Sequence, residues 1–93
     1  MKRAGRKNLT DLYKAILTLK TTKECRRFFR DLCTMDELNK MVERWQVVQL
    51  VSQDVDYRTI ALKTGASTTT VARVAHWLHH GTGGYKLMLH RLR

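Results

Sequence analysis

The sequence contains no proline, so nothing in it forces a helix to break by removing a backbone donor and crowding the preceding turn. It has only two cysteines, Cys25 and Cys33. Eight residues apart on one helix, they stand roughly 12 Å from each other, beyond the reach of a disulfide. Both fall on an apolar stripe, and the expectation is a pair of buried free thiols, suited to a reducing cytoplasm. No apolar run is long enough to cross a bilayer. The start "MKRAGRK" is basic with no apolar segment behind it and does not read as a secretory signal. Acid is also missing, and unevenly. Asp56 is the last carboxylate side chain, while Arg58, Lys63, Arg73, Lys86, Arg91 and Arg93 follow it. There is no nucleophile–base set, phosphate-binding loop or cofactor motif, so an enzyme is not expected and no cofactor is implied.

What is present is positive charge. The 93 residues carry a formal net charge of +10. Lys2, Arg3, Arg6 and Lys7 form a basic N-terminal arm, expected to be flexible over residues 1–7. Between Thr34 and Asp56 the balance turns acidic, with Asp36, Glu37, Glu43, Asp54 and Asp56 against Lys40 and Arg44. A basic arm and a basic C-terminal half around a mildly acidic middle point to a polyanionic partner. The length suits one small domain, with a core marginal enough to draw help from a second subunit.

The apolar pattern is helical throughout, which predicts an all-α fold with a single helical domain over 8–93. Leu9, Leu12, Tyr13, Ile16 and Leu17 recur at helical spacing, with Asn8 a candidate N-cap. Cys25, Phe28, Phe29 and Leu32 form a second stripe, opposite a solvated face of Arg26, Arg27 and Arg30. Thr34 and Glu37 make a capping box for a third helix, where Asp36 and Glu37 also complement the helix dipole. That helix carries Leu38, Met41, Val42, Trp45 and Val48, widened by Val47, Leu50 and Val51. Trp45 reads as core. Apolar residues on more than one face predict burial on more than one side, hence a subunit interface.

The stretch "YRTIALKTGASTTTVARVAHWL" (Tyr57 to Leu78) carries the chemistry. Ile60 and Ala61 face inward on a short helix. Gly65 can take the positive φ of a sharp interhelical turn, and Ser67 can cap the next helix. Val71, Val74 and Leu78, at i, i+3 and i+7, pack that helix onto the first. This is the layout of a helix-turn-helix at about 57–80. The opposite face carries Thr69, Arg73, His76 and His80, with Thr68 at the exposed start. Hydroxyls and guanidinium groups suit phosphates and base edges, and a carboxylate in that place would be repelled by the phosphates. Arg58 and Lys63 on the first helix add charge beside it. "GTGG" (Gly81 to Gly84) ends the reading helix.

The run from "TMDELNKMVERWQVVQLVSQDVDYRTIALKTGASTTTVARV" to "LHHGTGGY" resembles the YerC/YecD family of Trp-repressor-like proteins. "YRTIALKTGASTTTVARV" and "GTGGY" are its most specific parts. The resemblance implies an intertwined homodimer with one helix-turn-helix per subunit. It also implies a ligand pocket between the third helix and the reading helix. There the residue types at Thr34, Arg44, Thr70 and Arg73 match those of the tryptophan repressor. Val74 replaces a glycine that makes room for the indole, and Trp77 replaces a serine that receives the ligand's amino group. Both add bulk, so free tryptophan is not the expected ligand.

His76 and His80 stand at i and i+4, a spacing that can hold a metal. No cysteine or acid lies near them in sequence, so the expectation is groove-facing histidines and no metal. The reading is a cytoplasmic, homodimeric, sequence-specific regulator of transcription that binds double-stranded DNA, a repressor. Two alternatives are a helix-turn-helix component of a replication or mobile-element system and a helical dimerisation module that binds no DNA.

Overall fold

The computed structural model describes residues 3–93; Lys2, and with it part of the predicted basic arm, lies outside the described residues. Six helices follow one another, with no strand among the described residues: α1 (Arg6–Leu17), α2 (Thr22–Leu32), α3 (Met35–Ser52), α4 (Tyr57–Thr64), α5 (Thr68–His80) and α6 (Gly84–Arg91). The chain divides into two units, one ending at Met35 and the other spanning Asp36–Arg93.

In the first unit α1 begins earlier than the expected Asn8 cap. Gly5 takes the extended N-cap conformation, and the Leu9 N–H donates to its carbonyl at 3.0 Å. Arg6 and Lys7 are therefore helical. Thr10 Oγ1 donates to the Arg6 carbonyl at 2.9 Å. Lys7 pairs with Asp11 at 3.2 Å, fully in solvent, where such a pair contributes little. Thr21 caps α2 by accepting the Glu24 N–H at 3.0 Å, while Glu24 Oε1 accepts from the Lys20 N–H at 2.9 Å. The Thr21 cap, which the sequence reading missed, fixes where α2 starts, and Glu24 ties down the residue before it. Phe28 and Phe29 meet edge to face with centroids 5.5 Å apart. Yet neither α1 nor α2 fully buries any residue, and Leu9, Tyr13, Leu17 and Leu32 remain exposed. Cys25 and Cys33 are free thiols, half-buried rather than buried as expected, because nothing in the unit closes over their stripe.

The second unit holds the core. Val47 and Val48 of α3 have no solvent exposure, and with Val51 they meet Ile60 of α4, Ala66 of the turn, and Val71, Val74, Ala75 and Leu78 of α5. The expected two-sided burial of α3 is met on one side only. Met41 and Val42 stay exposed, and Trp45, expected in the core, is half-buried at its edge. Asp54, with φ 61°, turns the chain out of α3 in the left-handed region that short polar side chains tolerate.

Asp56 caps α4 by accepting from the Thr59 N–H at 3.1 Å and the Thr59 hydroxyl at 2.7 Å. Gly65 ends it at φ 79°, where a side chain would be strained. Thr64 locks the turn: its hydroxyl donates to the Ile60 carbonyl at 2.8 Å and accepts from the Ala66 N–H at 3.2 Å. Ser67 then caps α5, accepting from the Thr70 N–H at 3.1 Å. α5 ends at Gly81, whose N–H donates to the Trp77 carbonyl at 2.8 Å. A Cβ at Gly81 would run into that carbonyl, so the close approach requires glycine. α6 packs back on α5 and lays Tyr85 and Leu89 against the core.

Ile60 is sealed on every side and Leu62, two residues on, is 80% exposed. Denaturant unfolding should find Ile60→Ala less stable by about 2–5 kcal/mol and Leu62→Ala within about 0.5 kcal/mol of wild type. Equal losses at both positions would contradict this packing.

Candidate nucleic-acid interface

Burying Val71, Val74, Ala75 and Leu78 turns the other side of α5 to solvent. Thr69, Arg73, His76 and His80 are all exposed there, and Ser67 and Thr68 are exposed at its start. On α4, Arg58 and Lys63 are exposed as well. No salt bridge to Lys63 or Arg73 occurs among the described residues, and Arg58 acts through its charge on Asp56. The first turns of α2 and α3 carry acids, namely Glu24 and the pair Asp36 and Glu37. The first turn of α5 carries none, as in α1, α4 and α6. Acids at a helix N-terminus stabilise it through the dipole; leaving them out keeps the positive end of α5 available to an external anion.

The acid closest in sequence to this surface is Asp56, and it is committed to its cap. The Thr59 hydroxyl, then the Thr59 N–H, hold its carboxyl below the ordinary 3.8, with a smaller contribution from the Arg58 charge. Hydrogen bonds to the ionised form favour it, so Asp56 remains a carboxylate at neutral pH, turned to the helix start.

Of the residues matched to the repressor's ligand pocket, Thr70, Arg73, Val74 and Trp77 follow one another at i, i+3, i+4 and i+7 along α5. Thr34 belongs to the first unit. Arg44 is exposed on α3. Thr70 is half-buried, its hydroxyl bonded to Ser67 Oγ at 3.0 Å. Val74 is 1% exposed and part of the core. Trp77, still 47% exposed, walls an open cavity of about 880 Å³ together with Trp45, Tyr85, Met88, His76 and His80. Arg44, Thr70, Arg73 and Val74 do not line it. Trp45 and Tyr85 approach with ring centroids 6.5 Å apart, and His76 and His80 with centroids 5.0 Å apart. Sequence reasoning missed this cavity. Its one local signal is a tryptophan between two histidines of one helix face, followed by a glycine turn and a tyrosine.

Two helices about a glycine turn, with an uncharged hydroxyl-rich start to the second, exposed arginines and a valine-rich core beneath, narrow the comparison. The family model described as Trp repressor protein matches residues 7–93. The chain belongs to the Trp repressor family. It is 39% identical to the uncharacterized protein YerC of Bacillus subtilis (strain 168) over 87 residues, which is 94% of this chain and 84% of that protein. The structure of a candidate Trp repressor from Staphylococcus aureus aligns with a TM-score of 0.86 at 42% identity, covering 90% of this chain and 84% of that one. A TrpR-like protein from Eubacterium eligens aligns with a TM-score of 0.86 at 40% identity, covering 89% and 86% respectively. The resemblance to YerC-type Trp-repressor-like proteins and the all-α fold are both borne out.

The Asp56 cap carries a sign that can be checked. Its folded-state pKa lies below the ordinary 3.8. The stability it lends is therefore complete above that value and is lost as pH falls through the lower, folded-state one. Asp56→Asn keeps a capping side chain but removes the titration. The gap in melting temperature between wild type and variant should narrow as the solution is acidified below ~4; a gap that stays constant would contradict the cap.

Proposed function

We propose that the protein is a homodimeric, sequence-specific regulator that binds double-stranded DNA, with α5 entering the major groove N-terminus first. It represses transcription, the activity that gives the family its name. The observation that carries this reading is the outer face of α5: hydroxyls at Ser67, Thr68 and Thr69, then unpaired Arg73 and two histidines, all exposed, with no acid after Asp56. Threonine hydroxyls and methyls suit phosphates, base edges and the thymine methyl. Arg73 stands free for a guanine edge or a phosphate. Arg58 and Lys63 on α4 add sequence-independent attraction to the backbone.

Dimerisation rests on a second observation. The stripes of α1 and α2 and the Met41–Val42 side of α3 are apolar and uncovered. Their burial against a second copy removes them from water, which is the dominant favourable term in such association. The effector reading follows from Val74. Its side chain stands in the core where the tryptophan repressor has a glycine, so free tryptophan is not the ligand and DNA binding needs no corepressor. No helix of the described residues is long and apolar enough to cross a membrane, in keeping with action in the cytoplasm.

Duplexes selected from a random pool supply the binding site for the test. On that site Arg73→Ala should lose about 1–3 kcal/mol and relax one base pair if the guanidinium reaches a guanine, or lose affinity evenly on all sequences if it reaches a phosphate. Thr69→Ala should weaken binding too. Both variants should melt like wild type, and added free tryptophan should leave the wild-type curve unmoved. Wild-type affinity in both variants would remove this face from the interface. Sedimentation should find a species of twice the chain's 10.9 kDa; a monomer at micromolar concentration would overturn the dimer.

A further inference from the structure

The geometry points to a two-histidine site for a divalent d-block cation on α5, formed by His76 and His80 at the rim of the aromatic cavity. The two residues are one turn apart on one helix face. Their ring centroids lie 5.0 Å apart with the planes tilted by 42°. A zinc–imidazole bond is about 2.0–2.1 Å, so two rings sharing one tetrahedral ion have centroids roughly 5 Å apart. That distance alone would also fit two rings merely in contact. Three further observations favour the ion. Both rings border the same cavity, which leaves room for a cation and its remaining ligands. Both side chains are exposed, so neither is held in the core. And α5 is fixed along its length by Val71, Val74, Ala75 and Leu78, which keeps the two Cα positions in register without the metal.

The donor set selects the ion. Imidazole suits zinc, nickel and copper, whereas calcium and magnesium ask for oxygen ligands. The chain has no carboxylate side chain after Asp56, and no group of three or more histidine, cysteine or acidic residues that could hold a metal occurs among the described residues. The site is therefore a two-point clip, with its other positions taken by water or by an anionic oxygen. Two effects oppose it. The surrounding basic charge repels a cation, but between exposed groups salt screens this beyond about 8–10 Å. Protons compete for the same nitrogens, because a ligating imidazole must be neutral. The other titratable neighbours are Tyr85 in the cavity wall, His79, whose ring lies 6.4 Å from that of His80, and Lys86, whose Nζ is held 3.4 Å from the His79 carbonyl. A bound divalent ion adds its own two positive charges to this face.

The protein contains two tryptophans, and both line this cavity, so their fluorescence reports occupancy without any DNA. This separates the metal site from the DNA-binding reading. Copper(II), the tightest binder in the divalent series, should quench the fluorescence along a saturating curve ending at one equivalent per chain. Zinc should reverse the quenching by competition. His76→Gln and His80→Gln should each weaken the midpoint at least tenfold, while melting like wild type in the absence of metal. His79→Gln, beside the site but outside the cavity lining, should leave it unchanged. Quenching that rises linearly without saturation, or the same midpoint in the His76 and His80 variants as in wild type, would overturn the proposal.

Discussion

The valines of α3 and α5 close over Ile60, and the direction of α5 follows from that closure. Val47 and Val48 from one helix and Val71 and Val74 from the other have essentially no exposure. β-branched side chains have few rotamers to choose from, so this contact tolerates little sliding. A reading helix must present its side chains at a set pitch and depth. Here rigidity comes from below the helix rather than from its exposed face, which leaves the exposed face free of structural duties. Thr68, Thr69 and Arg73 can be chosen for a ligand because none of them is needed to hold α5 in place.

The turn that joins α4 to α5 is determined with the same economy. Gly65 supplies the left-handed step, Thr64 ties the turn to Ile60 and Ala66, and Ser67 restarts the chain as helix. All of these residues are small or short and polar. The turn therefore adds no bulk beside the start of α5, whose hydroxyl-bearing residues stay exposed. Asp56 caps the other end of α4, the only acid in this part of the chain, and its carboxylate is occupied by Thr59. Charge segregation and capping are thus one arrangement: the acid that the fold requires sits at the far end of the hairpin.

The helix-turn-helix was legible in the sequence because its signals are local. A glycine needing positive φ, a serine three residues before a bonded N–H, and valines at i and i+3 all act within a few residues. The same holds for the resemblance, which is densest over that motif. What was not legible depended on whether a face finds a cover. Periodicity marks Cys25, Trp45 and Met41 as apolar positions, yet the first two are half-buried and the third is exposed, because within its own unit each lacks an element that closes over it. The α1 start was misplaced for a different reason. Gly5 caps without a side chain, so it competes with Asn8 silently. The capping pair Thr21 and Glu24 was visible in principle and was overlooked beside the equivalent pattern at Thr34 and Glu37.

The two ends of α5 divide its work. At the N-terminal end the dipole, the hydroxyls and Arg73 favour anions. At the C-terminal end Gly81 is pressed against the Trp77 carbonyl, so the chain can leave the helix only along a narrow path. That path fixes where α6 begins, and with it where Tyr85 and Met88 stand opposite Trp77. The Trp77 indole stays outside the core filled by Val74 and Leu78, and Tyr85 of α6 meets the Trp45 ring across the cavity wall. His76 and His80 line that cavity beside the indole and belong to the exposed outer face of α5. A charged ligand at the cavity rim changes the charge of that face directly, because His76 and His80 line the cavity and belong to the face.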